Sequence, residues 1–242
     1  MRYAIFADIH ANLDALEVVL AACKKAAIDE YLCAGDVVGY AAQPGECIDR
    51  IEADGVTVVA GNHDWAVVKL YPSKFFNPIA RQALLWTREH ISCAHCDFLG
   101  NLKLVFKNRD LTLVHGTLDY PEDFNYLADS GLAENTFNLL DKPVCFVGHT
   151  HVPGVFEKDK SGIIHHLKDN SINLNDSSSY IINVGSVGQP RDSDPRAAYC
   201  IYDSEKKEAM IKRADYDIRS ANSKILSHGL PAALGERLFL GS

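Results

Sequence analysis

The sequence predicts an α/β fold built from alternating strands and helices, and three observations carry that prediction. The chain has 242 residues, 47% of them hydrophobic, enough to bury a large core. Its N-terminal part alternates between short apolar runs of strand length and stretches whose apolar residues recur at helical spacing. The runs are almost uninterrupted, as in parallel strands covered on both faces by helices, and polar residues begin where each strand would emerge.

The first run, Tyr3 to Ala7, ends in Asp8-Ile-His10. Taken alone, that pair reads as readily as a turn or cap as it does a pair of metal ligands. Asn12 caps the following helix, whose Leu13, Leu16, Val19, Leu20 and Cys23 share one face and whose Lys24 and Lys25 fall in the last turn, where cations suit the helix dipole. The second strand, Tyr31 to Ala34, runs into Gly35-Asp36. Pro44 opens a helix through Ala53 with Cys47, Ile48 and Ile51 inward, and the third strand, Val56 to Ala60, ends in Gly61-Asn62-His63-Asp64. Three successive strand ends bearing carboxylates and imidazoles point to one shared site, because open α/β sheets place their sites at those carboxyl ends.

One long helix is predicted from Asn77 to about Asp97, with Ile79, Ala83, Leu84, Trp86, Thr87 and Ile91 as its apolar cover. It contains Cys93-Ala-His-Cys96, which reads as two helical thiols rather than a zinc knuckle or redox pair, since no second Cys-x-x-Cys exists. Leu102 to Phe106 and Leu111 to Val114 form a hairpin around Lys107 to Asp110, and the second strand ends in His115-Gly116. A region of mixed character follows. Val144 to Val147 is then a buried strand ending in Gly148-His149-Thr150-His151. Val155 to Glu157, Ile163 to Leu167, Tyr180 to Val184, Ala198 to Tyr202 and Ala209 to Lys212 read as a second, largely antiparallel sheet, their connections being too short for crossover helices. Leu167 to Ser179 reads as an exposed loop, and helices Ile218 to Leu226 and Pro231 to Leu240 close the chain. No linker or internal repeat divides it, so one domain over residues 1–242 is expected.

The formal net charge of −8 argues against a broad basic surface, so nucleic acid is not an expected partner and an anionic substrate needs a concentrated positive feature, such as metal ions. The opening apolar run is too short for a signal peptide and no run approaches the roughly 18 apolar residues of a membrane span. A cytoplasmic protein with no membrane partner is therefore expected. Seven cysteines suit reduced thiols, with Cys23, Cys33, Cys47, Cys145 and Cys200 as core side chains. A homo-oligomer stays open.

The strand ends collect Asp8, His10, Asp36, Asn62, His63, Asp64, His115, His149 and His151. Imidazoles and carboxylates without thiolate suit borderline divalent ions such as Mn, Fe, Co or Zn. The set is too large for one such ion and about right for two, which at roughly 3.5–4 Å apart share a bridging carboxylate and clamp both oxygens of an in-line displacement.

In this ordered set, Asp8-x-His10, Gly35-Asp36, Gly61-Asn62-His63-Asp64, His115-Gly116 and Gly148-His149-x-His151, the chain resembles the calcineurin-like metallophosphoesterases. Gly35 to Tyr40, Asn183 to Asp192 and the tail after Asp215 extend the likeness to the small bacterial and archaeal phosphodiesterase-like branch. The resemblance implies a four-layer α/β/β/α sandwich, two mixed sheets flanked by helices. It implies that Asp8, His10 and His151 hold one metal, that Asn62, His115 and His149 hold the other, and that Asp36 bridges them. His63 would be the catalytic group, with Asp64 fixing its tautomer, and Asn12, Tyr40 and Arg191 would contact substrate. The chain departs from the pattern at Ala11, where many relatives have glycine, and at Gly39, where some branches carry a polar residue.

The expected reaction is metal-dependent hydrolysis of a small phosphodiester or nucleotide phosphoanhydride, a hydroxide bridging two divalent ions attacking phosphorus, with Mn the first ion to assay. A phosphomonoesterase or protein phosphatase is the nearest alternative. A scaffold without activity, as this fold provides in the retromer coat of eukaryotic cells, is the alternative of another class. Arg191 has two readings, a guanidinium on a phosphate oxygen or a surface turn pairing with Asp192 or Asp194. His165 and His166 point to opposite faces of a strand, and His90, His95 and His228 are structural or solvated.

Overall fold

In the computed structural model, which describes residues 1–167 and 169–242, two mixed six-stranded sheets pack face to face with helices outside them, a four-layer α/β/β/α sandwich. The first sheet begins as expected: β1 (Arg2–Phe6), α1 (Leu13–Lys25), β2 (Glu30–Cys33), α2 (Pro44–Ala53) and β3 (Thr57–Val58) alternate, and the three strands pair in parallel. Asn12 caps α1, its Oδ1 accepting from the Ala15 amide at 3.2 Å. A short helix, α3 (Asn62–Val67), follows β3 directly.

The predicted long helix is two helices, α4 (Pro78–Glu89) and α5 (Cys93–Gly100). Ser92 starts α5 by accepting the His95 amide at 3.1 Å, so a cap interrupts a continuous apolar stripe. Cys93 and Cys96 both lie on α5 as free thiols, and His95 bonds Asp49. The hairpin of β4 (Val105–Lys107) and β5 (Thr112–Val114) forms as predicted. The mixed region after it holds a helix, α6 (Ser130–Leu139), which Asp129 caps by accepting from the Gly131 and Leu132 amides.

The later strands do not form one antiparallel sheet. β6 (Val144–Val147), β7 (Gly154–Lys158), β8 (Ile164–Leu167) and β10 (Ser179–Asn183) complete the second sheet in the order β4-β5-β6-β10-β7-β8, with β10 parallel to β6. β11 (Ala197–Asp203) and β12 (Glu208–Ala214) instead extend the first sheet, β11 antiparallel to β1. The burial of β11 explains this. Ala197 and Tyr199 pack under α1 while Cys200 and Tyr202 face the other sheet, a placement available only to a central strand. Within the predicted loop, β9 (Ser171–Asn173) pairs with β12 and buries Ile172; Lys168 lies outside the described residues. α7 (Ile218–Ser227) and α8 (Ala232–Leu240) pack together beside α4.

Between the sheets, Tyr3, Ile5, Leu32, Leu113, Phe146, Ile182 and Tyr202 form the central core. Full burial of each large apolar side chain is worth about 1.5–3 kcal/mol, so this layer holds the two sets of strand ends in fixed register at one edge. All of Cys23, Cys33, Cys47, Cys145 and Cys200 are buried. Among the described residues no helix is long and apolar enough to cross a membrane.

Candidate metal centre

At the edge where β1, β2, β5 and β6 end, the turns present their side chains through an unusual backbone. Asp8, His10, Asp36, His149 and His151 all have positive φ, between 50° and 68°. A non-glycine residue in the left-handed region costs roughly 1–3 kcal/mol, and such strain concentrates at functional sites where the surrounding fold imposes it. Ala11 shares this conformation at φ 56°.

Two clusters result. In the first, Nε2 of His10 and Nε2 of His151 face each other at 3.1 Å, with Asp8 Oδ1 at 3.8 and 3.3 Å respectively. His10 Nδ1 lies 3.1 Å from the Val38 carbonyl and His151 Nδ1 lies 2.6 Å from that of Gln189. Carbonyls only accept, so each Nδ1 donates, which leaves each Nε2 facing inward as the ligand atom. Two Nε2 atoms and a carboxylate oxygen thus converge in a buried space, and Asp8 Oδ1 has no hydrogen-bond partner. The other oxygen, Oδ2, accepts the His149 amide at 2.9 Å, which ties the two sheets together at the site.

In the second cluster, His115 Nε2 lies 3.0 Å from His149 Nδ1, 3.2 Å from Asn62 Oδ1 and 3.4 Å from Asp36 Oδ2. His115 donates from Nδ1 to the Ala34 carbonyl at 2.7 Å. Asp36 Oδ2 is also 3.7 Å from His10 Nε2, so this carboxylate stands between the clusters. Asp8, His10 and His151, and Asp36, His115 and His149, each bring ligand atoms within 4.8 Å of one another, and His63 joins His10 and Asp36 in the same way. The donor chemistry fits divalent ions in both places.

Burial and neighbouring charges shift these groups in both directions. Burial raises the Asp36 carboxyl, but the neighbouring His115 and His63 outweigh it and hold the group well below the usual range. Burial lowers the His115 imidazole, and Asp36 overcomes this to push it up to about 9. Burial lowers His10 and His149 well below the ordinary value and His63 to about 4.

Asp64 does not contact His63 as expected. Its Oδ2 accepts the amides of Asp36 at 2.8 Å and Gly61 at 3.0 Å, and its Oδ1 those of Val37 at 2.9 Å and Val38 at 3.2 Å. It is a staple between the second and third strand ends. Burial and Asp36 push its carboxyl up to about 7 against those amide bonds. His63 instead packs against Tyr40, His10 and Phe76, with its Nδ1 buried and unpartnered beside Gly39. A Cβ at Gly39, which has φ 95°, would overlap that nitrogen, so a larger residue there must displace His63.

Asn12 is not beside the substrate cavity. Its amide donates to the Gly188 carbonyl at 3.0 Å while its oxygen caps α1, and both polar ends are spent on the fold. Arg191 does reach the site. Its guanidinium donates to Tyr40 Oη at 3.2 Å and Gln189 Oε1 at 3.0 Å, whereas Asp192 pairs with Arg213 and Asp194 with Arg196, which removes the surface-turn reading. A cavity of about 90 Å³ over the clusters is lined by Asp36, His63, Tyr40 and Arg191, and also by Phe75, Phe76, Asn77 and Tyr126. The last four were not legible as site residues. Tyr126 stacks on His149 at 3.9 Å between ring centroids, in the stretch the sequence leaves unassigned. His165 pairs with Asp159 and His166 stacks on Phe156, both away from the site.

The two facing sheets and the paired carboxylate–imidazole clusters at their strand ends are those of a metal-dependent phosphoester hydrolase. The chain belongs to the calcineurin-like phosphoesterase superfamily, whose domain model matches residues 1–207. It is 39% identical, over 98% of its length and 97% of the relative's, to an uncharacterized protein of Methanocaldococcus jannaschii. A metallophosphoesterase from Sphaerobacter thermophilus is 38% identical, with a TM-score of 0.87 over 100% of this chain and 99% of that one. A hypothetical protein from Pyrococcus horikoshii shares the fold at 18% identity, with a TM-score of 0.82 over 100% and 98% of the two chains.

Proposed function

We propose that the protein hydrolyses a small phosphodiester or nucleotide phosphoanhydride with two divalent ions. Asp8, His10 and His151 would hold one, Asn62, His115 and His149 the other, and Asp36 both. The observation that carries this reading is the pair of inward Nε2 atoms of His10 and His151 beside the unpartnered Asp8 oxygen, a buried arrangement that a divalent cation satisfies. When bound, two such ions provide a nucleophilic water at neutral pH and offset charge on the transferred phosphoryl group.

The chain's own residues supply the remaining steps. Arg191, fixed by Tyr40 and Gln189, binds a non-bridging phosphoryl oxygen. His63, neutral at pH 7 because burial lowers it to about 4, donates an N–H to the departing oxygen. Asp64 positions Asp36 rather than taking part itself. The phenyl and phenol rings of Phe76 and Tyr126 line the cavity wall. Manganese is the ion to add first, and the cytoplasm, with its reduced thiols, is the compartment of this reading.

The test is a rate comparison on bis(4-nitrophenyl) phosphate and 4-nitrophenyl phosphate with added Mn. Faster turnover of the diester is expected. Faster turnover of the monoester would replace the diesterase reading with a phosphomonoesterase one.

A further inference from the structure

We infer that α8 builds a second subsite beside the metal centre, which selects phosphoanhydride substrates that carry a second anionic phosphoryl group and an apolar ring. The inference rests on the hydrolase reading above and specifies its substrate. A separate cavity of about 390 Å³ lies between α4 and α8. It shares Tyr40, Asn77 and Ala80 with the cavity over the metal clusters, so the two cavities adjoin across these residues. Its remaining walls include Ile79, Leu234 and Arg237. The volume falls in the range of small-ligand pockets, and the lining is apolar with one cation.

Arg237 carries the charge argument. Its Nε donates to the main-chain oxygen of Ser242, the last residue of the sequence, and among the described residues no Asp or Glu side chain pairs with it. Arg191 lines the cavity over the metal clusters and Arg237 the one beside it, in a chain of net charge −8, and burial first, then the positive charge of Arg191, lowers the Arg237 pKa. Two guanidiniums, one on each of two adjoining cavities, match two anionic phosphoryl groups, one at the metals and Arg191, the next at Arg237. The apolar group then covers Ile79, which is 42% exposed without it. The α8 end is also tied to the Arg191 loop, the Ser193 amide donating to the Gly241 carbonyl at 2.8 Å. α8 lies beyond residues 1–207, which the family domain model matches.

The reaction served is the addition of one water to a diester of diphosphate. The water oxygen bonds to the phosphorus at the metal centre, and the bond from that phosphorus to the bridging oxygen breaks. The bridging oxygen leaves on the distal phosphoryl with one proton of the water, giving two phosphomonoesters.

The experiment uses the metal-loaded enzyme and two probes, P1,P2-diphenyl diphosphate and methyl 4-nitrophenyl phosphate. Arg237→Gln should lower the ratio of kcat/KM for the diphosphate to that for the monoanionic diester by about tenfold or more, the loss expected of one charge-assisted contact. Arg237→Lys should restore part of it. Ala233→Trp or Ile79→Trp, which fill the cavity from opposite walls, should lower the same ratio. A methylene-bridged analogue of the diphosphate should bind Arg237→Gln about tenfold more weakly by calorimetry. An unchanged ratio and unchanged analogue binding in folded Arg237→Gln and in a folded cavity-filling variant would overturn the subsite while leaving the hydrolase reading intact. Hydrolysis of neither probe by the unaltered enzyme would overturn both.

Discussion

Asp64→Asn separates a structural staple from a partner of His63. The carboxylate accepts four backbone amides, two on each oxygen, at 2.8–3.2 Å in a fully buried position. An asparagine amide has one accepting oxygen, so in either orientation its NH2 group confronts two amide donors. Leaving a buried donor unsatisfied costs about 1–3 kcal/mol, hence about 2–6 kcal/mol for the pair. For a chain of this size each kcal/mol shifts Tm by about 2–4 °C, which puts the expected drop on the order of 10 °C. Because one of those donor pairs is Asp36 and Gly61 and the other is Val37 and Val38, directly after Asp36, metal affinity should fall as well. Differential scanning calorimetry of metal-free and Mn-loaded protein, with metal content on the same samples, measures both effects. A variant with unchanged Tm and full metal content but slower turnover would refute the staple and restore a role for Asp64 through His63.

His63→Ala should keep both metals and lose about 10²–10⁴ in kcat, the usual worth of a proton-donating group; undiminished turnover would remove His63 from the reaction. The metal-free protein should lose stability as pH rises from 6.5 to about 9. His115 is raised to about 9 when folded, so the folded state binds more protons in that window and the contribution, full below 6.5, disappears through 9. Its upper size is about 3 kcal/mol. In Mn-loaded protein the loss should be much smaller, since coordination replaces the proton; equal pH dependence with and without metal, by thermal unfolding, would count against His115 as a ligand.

The residues at strand ends were legible because each follows a short apolar run directly, so local sequence places them on one sheet edge. Asp8, His10, Asp36, Asn62, His115, His149 and His151 all come together there. The sheet to which a strand belongs was not legible. β11 reads as part of a local meander, yet it pairs with β1 because both its faces are apolar, and short connections do not reveal that it crosses between sheets. The break between α4 and α5 was within reach, since Ser92 is a cap signal three residues before His95. So was α6, marked by Asp129. Asp64 was misread because adjacency to His63 in sequence suggested a side-chain partner, whereas the first turn of α3 turns it back to the backbone of the second strand end. Phe75, Asn77 and Tyr126 carry no local signal; they line the cavity only because the α4 entry and the segment before α6 fold over it.

The central claim is a pair of metal ions joined through Asp36, and metal analysis after reconstitution tests it most directly. Mn-loaded, gel-filtered protein should contain two equivalents by mass spectrometry of the dissolved metal, and Asp36→Asn should retain less than one. Less than one equivalent in the unaltered protein, or two equivalents retained by Asp36→Asn, would contradict the account.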